Sequence, residues 1–281
     1  MKYLPDVDFR ARRYVLEPDE WGLPSEEPEG PPTDLVTEAI WKHIIALTDD
    51  TVIFTTSHFG RTLAALSELS TDWIMNLVDM DRDPFVFTAM LDAASDLDAS
   101  TFNLISGYYR QAIAALRGAL EIVMLATVCR LYTDHPVSAR AWGVTPHTKF
   151  ANWGKKYRQD NFGWLRRQLE AWAEGAPVPY RAPTAYDLAD EAQKLFTVLS
   201  LHVHVRVRRK KRVMVTVSSE QWGGSNGPIF HVASFRRCVR LQLRTYLVLY
   251  RLIKLARPHS FRAAKVLSVA LGARTRAGRR S

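Results

Sequence analysis

Cysteine is almost missing from this chain: of 281 residues only Cys129 and Cys238 carry a thiol, and they lie far apart on separate apolar stretches. That excludes a disulfide-held scaffold and fits reduced thiols in a cytoplasmic setting. Uncharged apolar runs of about 18 residues are also lacking, so no transmembrane segment is expected. Even the most apolar stretch, 101 to 129, is interrupted by Arg110, Arg117 and Glu121. The start, MKYLPDVDFRARRY, has no apolar signal core. GxGxxG and GxxxxGK[ST] spacings are absent, as are GxSxG, HExxH and paired CxxC. Without them there is no support for a nucleotide cofactor, a hydrolase or a zinc enzyme, and no cofactor is expected. WGGSNGP, at 222–228, therefore reads as a reversal of the chain.

Acid is missing from the last third. Residues 201–281 hold nineteen Lys and Arg against Glu220 alone, whereas residues 1–200 hold nineteen against twenty-eight acids. A net +18 beside a net −9 is the asymmetry of a polyanion binder or of a chain that docks on an acidic partner.

With 47% hydrophobic residues the chain can bury a substantial core. Residues 1–32, rich in Pro and acid, read as an extended arm that can cover basic surface in cis. Residues 33–258 read as one helical domain, and 259–281 as a flexible basic tail. Thr33 is expected to cap a helix to about Thr48, and Ser57 a second one carrying Leu63, Leu66, Leu69, Trp73 and Leu77. Asp83–Pro84 opens a third, PFVFTAMLDAASDL. Thr101 to Cys129, apolar nearly all round, is expected to be a buried central helix, ended by Pro136, with Asn103, Arg110, Arg117 and Glu121 on one narrow line. Between Val137 and Pro183, Trp153, Tyr157, Phe162 and Trp164 alternate with basic residues, a pattern that serves either to stack nucleic acid or to pin a long connection.

After the helix TAYDLADEAQKLFTVLS the period changes from helical to alternating. LHVHVRV and RVMVTVSS predict a small basic β-hairpin over 202–218 with Arg208, Arg209, Lys210, Lys211 and Arg212 around its tip. The last helix, 233–257, sets Val239, Tyr246, Tyr250 and Ile253 on one side and Arg237, Arg240, Arg244 and Arg251 on a basic stripe. The fold class is thus mainly α, a bundle around a buried central helix with one hairpin.

Candidate chemistry sits in three places. Arg117 and Glu121 are one turn apart, either a structural ion pair or desolvated groups with catalytic use. His202 and His204 would share a strand face with Arg206 and Arg208, suited to acid–base work on a phosphodiester. No further ligand lies nearby to complete a metal site, so no metal is expected. Arg130 and His135, in RLYTDH, are spaced Arg-x4-His.

GYYRQAIAALRGALE, LFTVLSLHVHV, WGGSNGPIF and a terminal helix ending LARP resemble uncharacterised bacterial helical proteins and, more distantly, HEPN-type bundles, over about residues 95–258. The resemblance implies an all-α fold and metal-independent ribonuclease activity, often in toxin or phage-defence systems, with Arg130 and His135 assisting cleavage at the 2′-hydroxyl. Here Leu131 follows the arginine where the family usually has a polar residue, and Pro136 ends the helix at the histidine.

The expectation is a nucleic-acid-binding protein, RNA favoured. Its phosphate contacts are Arg206, Arg208, Arg209, Lys210, Lys211, Arg212, Arg237, Arg240, Arg244 and Arg251, and its candidate catalytic groups are Arg130, His135, Arg117, Glu121 and His204. The alternative is a non-enzymatic helical module that docks on an acidic protein or an anionic surface. Either reading is compatible with a homo-oligomer.

Overall fold

A computed structural model describes residues 47–78, 84–134, 162–175, 184–203, 207–210, 213–216 and 228–257. These are mainly α-helical: α1 (Leu47–Val78), α2 (Pro84–Ile105), α3 (Tyr109–Asp134), α4 (Phe162–Gly175), α5 (Thr184–Val203) and α6 (Val232–Ala256). Because α3 is apolar on nearly every side, it can be stable only where other helices cover it. It packs on α2, α4, α5 and α6, and Ile113, Leu116, Leu120, Val123 and Val128 are fully buried. Each such side chain contributes about 1.5–3 kcal/mol by leaving water. Tyr109–Tyr132 is also long and apolar enough to cross a membrane by length and composition, though here most of it is covered by protein.

The single helix expected over 101–129 is in fact parts of two. Gly107 takes φ +78, the Gly107 amide donates to the Leu104 carbonyl at 3.3 Å, and the Tyr108 amide donates to the Asn103 carbonyl at 2.8 Å. That pairing is the Schellman ending, which needs a residue free to enter the left-handed region. The PFVFTAMLDAASDL segment and 101–105 are therefore one helix, α2. Asn103 leaves the charged line of Arg110, Arg117 and Glu121, and its amide bonds the Ala99 carbonyl at 2.8 Å.

A second boundary also differs. Ser57 does not cap a helix; it lies within α1, its hydroxyl donating to the Ile53 carbonyl at 2.7 Å. Thr51 and Thr56 bond back in the same way and His58 Nδ1 contacts the Phe54 carbonyl, a habit that bends helices. The bend falls at Phe59, with φ −125 and ψ 21, next to Gly60. Of the helix expected from Thr33, all but its last two residues lie outside the described ones. Beyond the bend, Trp73 is buried; its indole donates to the Met90 carbonyl at 2.9 Å, and its ring meets Tyr250 edge-on at 5.5 Å. α1, α2 and α6 are pinned together there.

The basic hairpin expected over 202–218 is not supported as an element of this fold. His202 and Val203 complete α5, because Leu195, Leu199 and His202 continue its buried face. Beyond them the backbone of Val207–Lys210 runs antiparallel to Val213–Thr216, and no helix packs extensively on either segment. Phe162 and Trp172 of the aromatic connection are core residues, Phe162 stacked on Phe196 at 4.3 Å, while Trp153 and Tyr157 lie outside the described residues.

Candidate nucleic-acid interface

α6 carries five arginines and a lysine and no acid. Its apolar side, with Phe235, Cys238, Tyr246, Leu249 and Ile253, is buried, which turns the arginines outward. Where its first turns pass the bend of α1, an open groove of about 710 Å³ is left between the two helices. That falls within the roughly 300–1,000 Å³ of ligand pockets. Phe59 and Thr62 line one side, His231, Arg236, Arg237 and Arg240 the other, and no Asp or Glu is among its described lining residues. All three arginines are exposed.

The floor of the groove is aromatic. Phe59 stacks on Phe235 with ring centroids 4.2 Å apart and 19° between planes, and Phe230 lies 6.0 Å from Phe59. Phe54 meets Phe230 edge-on at 4.2 Å, and exposed His58 lies over Phe54 at 3.9 Å. His231 is fixed from two directions. Its amide donates to the Tyr109 hydroxyl at 2.9 Å, and Nδ1 sits 2.7 Å from the Ser234 hydroxyl. Burial pushes the Tyr109 phenol up to about 12, so it stays a neutral hydroxyl at physiological pH.

The stripe read along α6 is thereby divided. Arg237 and Arg240 line the groove, and Arg236, absent from the stripe, joins them. Arg244 is half-buried. Arg251 forms an ion pair with Glu191 of α5 and is neutralised within the fold. A helical wheel shows which arginines share a side; it does not show which of them face an acid on a neighbouring helix.

The described residues on either side of 204–227 meet one short turn. Arg110 donates from Nε to the His202 carbonyl and from Nη2 to the Val203 carbonyl, each at 3.0 Å, so a cation closes the C-terminus of α5. On the return, Ile229 lies against Gly107 and His231 is held by Tyr109. His202 is 4% exposed, and burial, with a smaller contribution from Arg237, lowers its pKa to about 4. It is therefore a neutral interior histidine, not half of a paired strand face with His204.

Of the candidate catalytic groups, Arg117 and Glu121 form an ion pair at 2.6 Å, each 24% exposed. The Arg117 guanidinium lies 4.9 Å over the Phe196 ring. This contact packs the pair against α5. Arg130 is half-buried on α3. His135, His204, Arg206, Lys211 and Arg212 lie outside the described residues; Arg208, Arg209 and Lys210 are placed by their backbone only. No group of three or more potential metal ligands occurs among the described residues.

Phe59, Thr62, His231 and Arg236 were not among the residues singled out by sequence reasoning. The Arg236–Arg237 pair and the aromatics Phe230 and Phe235 beside it were a local signal. The opposite wall, Phe59 and Thr62 far earlier in the chain, had none. Comparison with protein-family models, with curated proteins and with solved structures gives no match.

Proposed function

We propose that this protein binds nucleic acid, RNA in preference, through the N-terminal half of α6 and the basic stretch 206–212. The observation that carries this reading is the groove lined by exposed Arg236, Arg237 and Arg240, with no Asp or Glu among its described lining residues. Exposed guanidinium groups on one helix face bind phosphates without needing a fixed sequence, and they fit the phosphate geometry through paired N–H groups. The run of basic residues Arg208, Arg209, Lys210, Lys211 and Arg212 in the sequence adds positive charge to the same C-terminal third of the chain. The HEPN-like resemblance favours RNA, and within it Arg130 and His135 are the pair through which metal-independent cleavage would proceed.

Binding of a labelled single-stranded RNA at low and physiological salt tests the reading. Affinity should fall steeply with salt, because each neutralised phosphate of a single strand releases about 0.7 counterion. Replacing Arg237 and Arg240 with alanine should flatten the salt slope by about 1.4, and neutralising 208–212 should flatten it further. Absent or salt-insensitive binding overturns the proposal. Accompanying cleavage, lost in His135→Ala, would support the ribonuclease reading; binding without cleavage would leave a non-catalytic RNA-binding protein.

A further inference from the structure

The geometry points to the groove beside Phe59 as a subsite for one unpaired nucleotide, its flanking phosphates on Arg236, Arg237 and Arg240 and its base against the aromatic rim of His58, Phe59 and Phe230. The inference rests on the nucleic-acid reading and adds to it a substrate class, single strand over duplex. A surface that attracts polyanions by charge alone needs no aromatic groups. Here five rings, Phe54, His58, Phe59, Phe230 and Phe235, are joined by successive contacts of 3.9 to 6.0 Å, and two of them line the same cavity as the arginines. Phe235 is fully buried and serves as the support, while Phe54, Phe59 and Phe230 are only half-buried and His58 is exposed.

Rings that reach the surface beside cations are the arrangement that stacks single-stranded bases, since every base has a π-face but only an unpaired one can present it. A duplex keeps its bases inside and offers such a surface only its phosphates and sugars. The bend of α1 falls at the groove, at Phe59. Phe54 and His58, on the N-terminal side of the bend, both meet Phe230, and Phe59 at the bend itself stacks on Phe235.

The full chain should be tested by fluorescence anisotropy against three probes: a single-stranded RNA, a hairpin duplex RNA of equal phosphate number, and heparin as a polyanion without bases. The single strand should bind roughly tenfold more tightly than the duplex. His58→Ala and Phe59→Leu should each weaken only the single strand, by roughly five- to tenfold, the loss of one base-stacking contact. Arg236→Ala with Arg240→Ala should weaken all three probes. Thermal melting establishes which variants fold, and His58→Ala, on the exposed rim, keeps the test decisive should Phe59→Leu not fold. Equal affinity for single strand and duplex, or an unchanged ratio in the aromatic variants, overturns the subsite while salt-dependent binding leaves the broader reading standing. No binding to any probe overturns both.

Discussion

Gly107 and Ile229 meet backbone to backbone. A Cβ added at Gly107 would lie 2.5 Å from the Ile229 carbonyl oxygen and 2.6 Å from its amide nitrogen. The contact joins the α2–α3 turn to the residues that lead into α6, at the one described glycine whose φ is positive.

Gly107→Ala should therefore destabilise the protein by at least about 2 kcal/mol, because a side chain is strained at this φ and the atoms it meets are backbone that has no rotamer in which to move away. Urea unfolding measures it. An alanine variant within about 0.5 kcal/mol of the parent would show that the contact does not persist in solution.

Arg110→Ala removes the cation that closes α5. A loss of about 1–2 kcal/mol is expected, with Arg110→Lys intermediate, since an ammonium retains the charge but not the two-pronged geometry. Amide hydrogen exchange should localise the change to the last turn of α5. Uniform loosening of all helices would contradict it.

The pH dependence of stability has a contribution from His202. Its folded pKa, about 4, is below the unfolded value of 6.5, so the unfolded chain binds more protons between them. The contribution is fully present above pH 6.5 and is lost as pH falls toward 4, amounting to about 3 kcal/mol at most. Burial raises Asp96 and Asp49, which work in the opposite direction near pH 4. Comparing the parent with His202→Gln cancels those acids. The variant should show a flatter profile between pH 6.5 and 4, and parallel profiles would refute the assignment.

Arg117→Ala should cost about 1–2 kcal/mol through the lost ion pair and the lost contact with Phe196, and it should leave RNA binding unchanged. Glu121→Gln should lower the pKa of Asp96, which is raised first by burial, then by Asp92, then by Glu121. Carboxyl NMR titration reads this directly. Loss of any RNA cleavage in a folded Arg117→Ala variant would support the catalytic reading of this residue.

Much of the architecture was legible because it depends on local period. The terminal helix was expected over 233–257 and observed at Val232–Ala256, and the buried, all-round apolar run of α3 announced its position. The break between α2 and α3 was signalled only by Gly107, inside a run otherwise rich in helix formers. A glycine costs a helix about 1 kcal/mol, not enough by itself to decide between continuing and ending. The LHVHV alternation misled because a few residues with period two also satisfy part of a helical face, and α5 was extended through them by burial of His202 and the Arg110 bonds.

By itself the sequence determined the helical class, the apolar faces and the concentration of positive charge in the last third, since each follows from residue type and spacing along one segment. The tertiary structure decided which arginines line the groove and what stands beside them. It placed Glu191 against Arg251, and it brought the bent middle of α1 to the first turns of α6 so that Phe59 and Arg240 line one groove. Such pairings depend on how separate helices pack in three dimensions, and no local pattern in either helix specifies its partner.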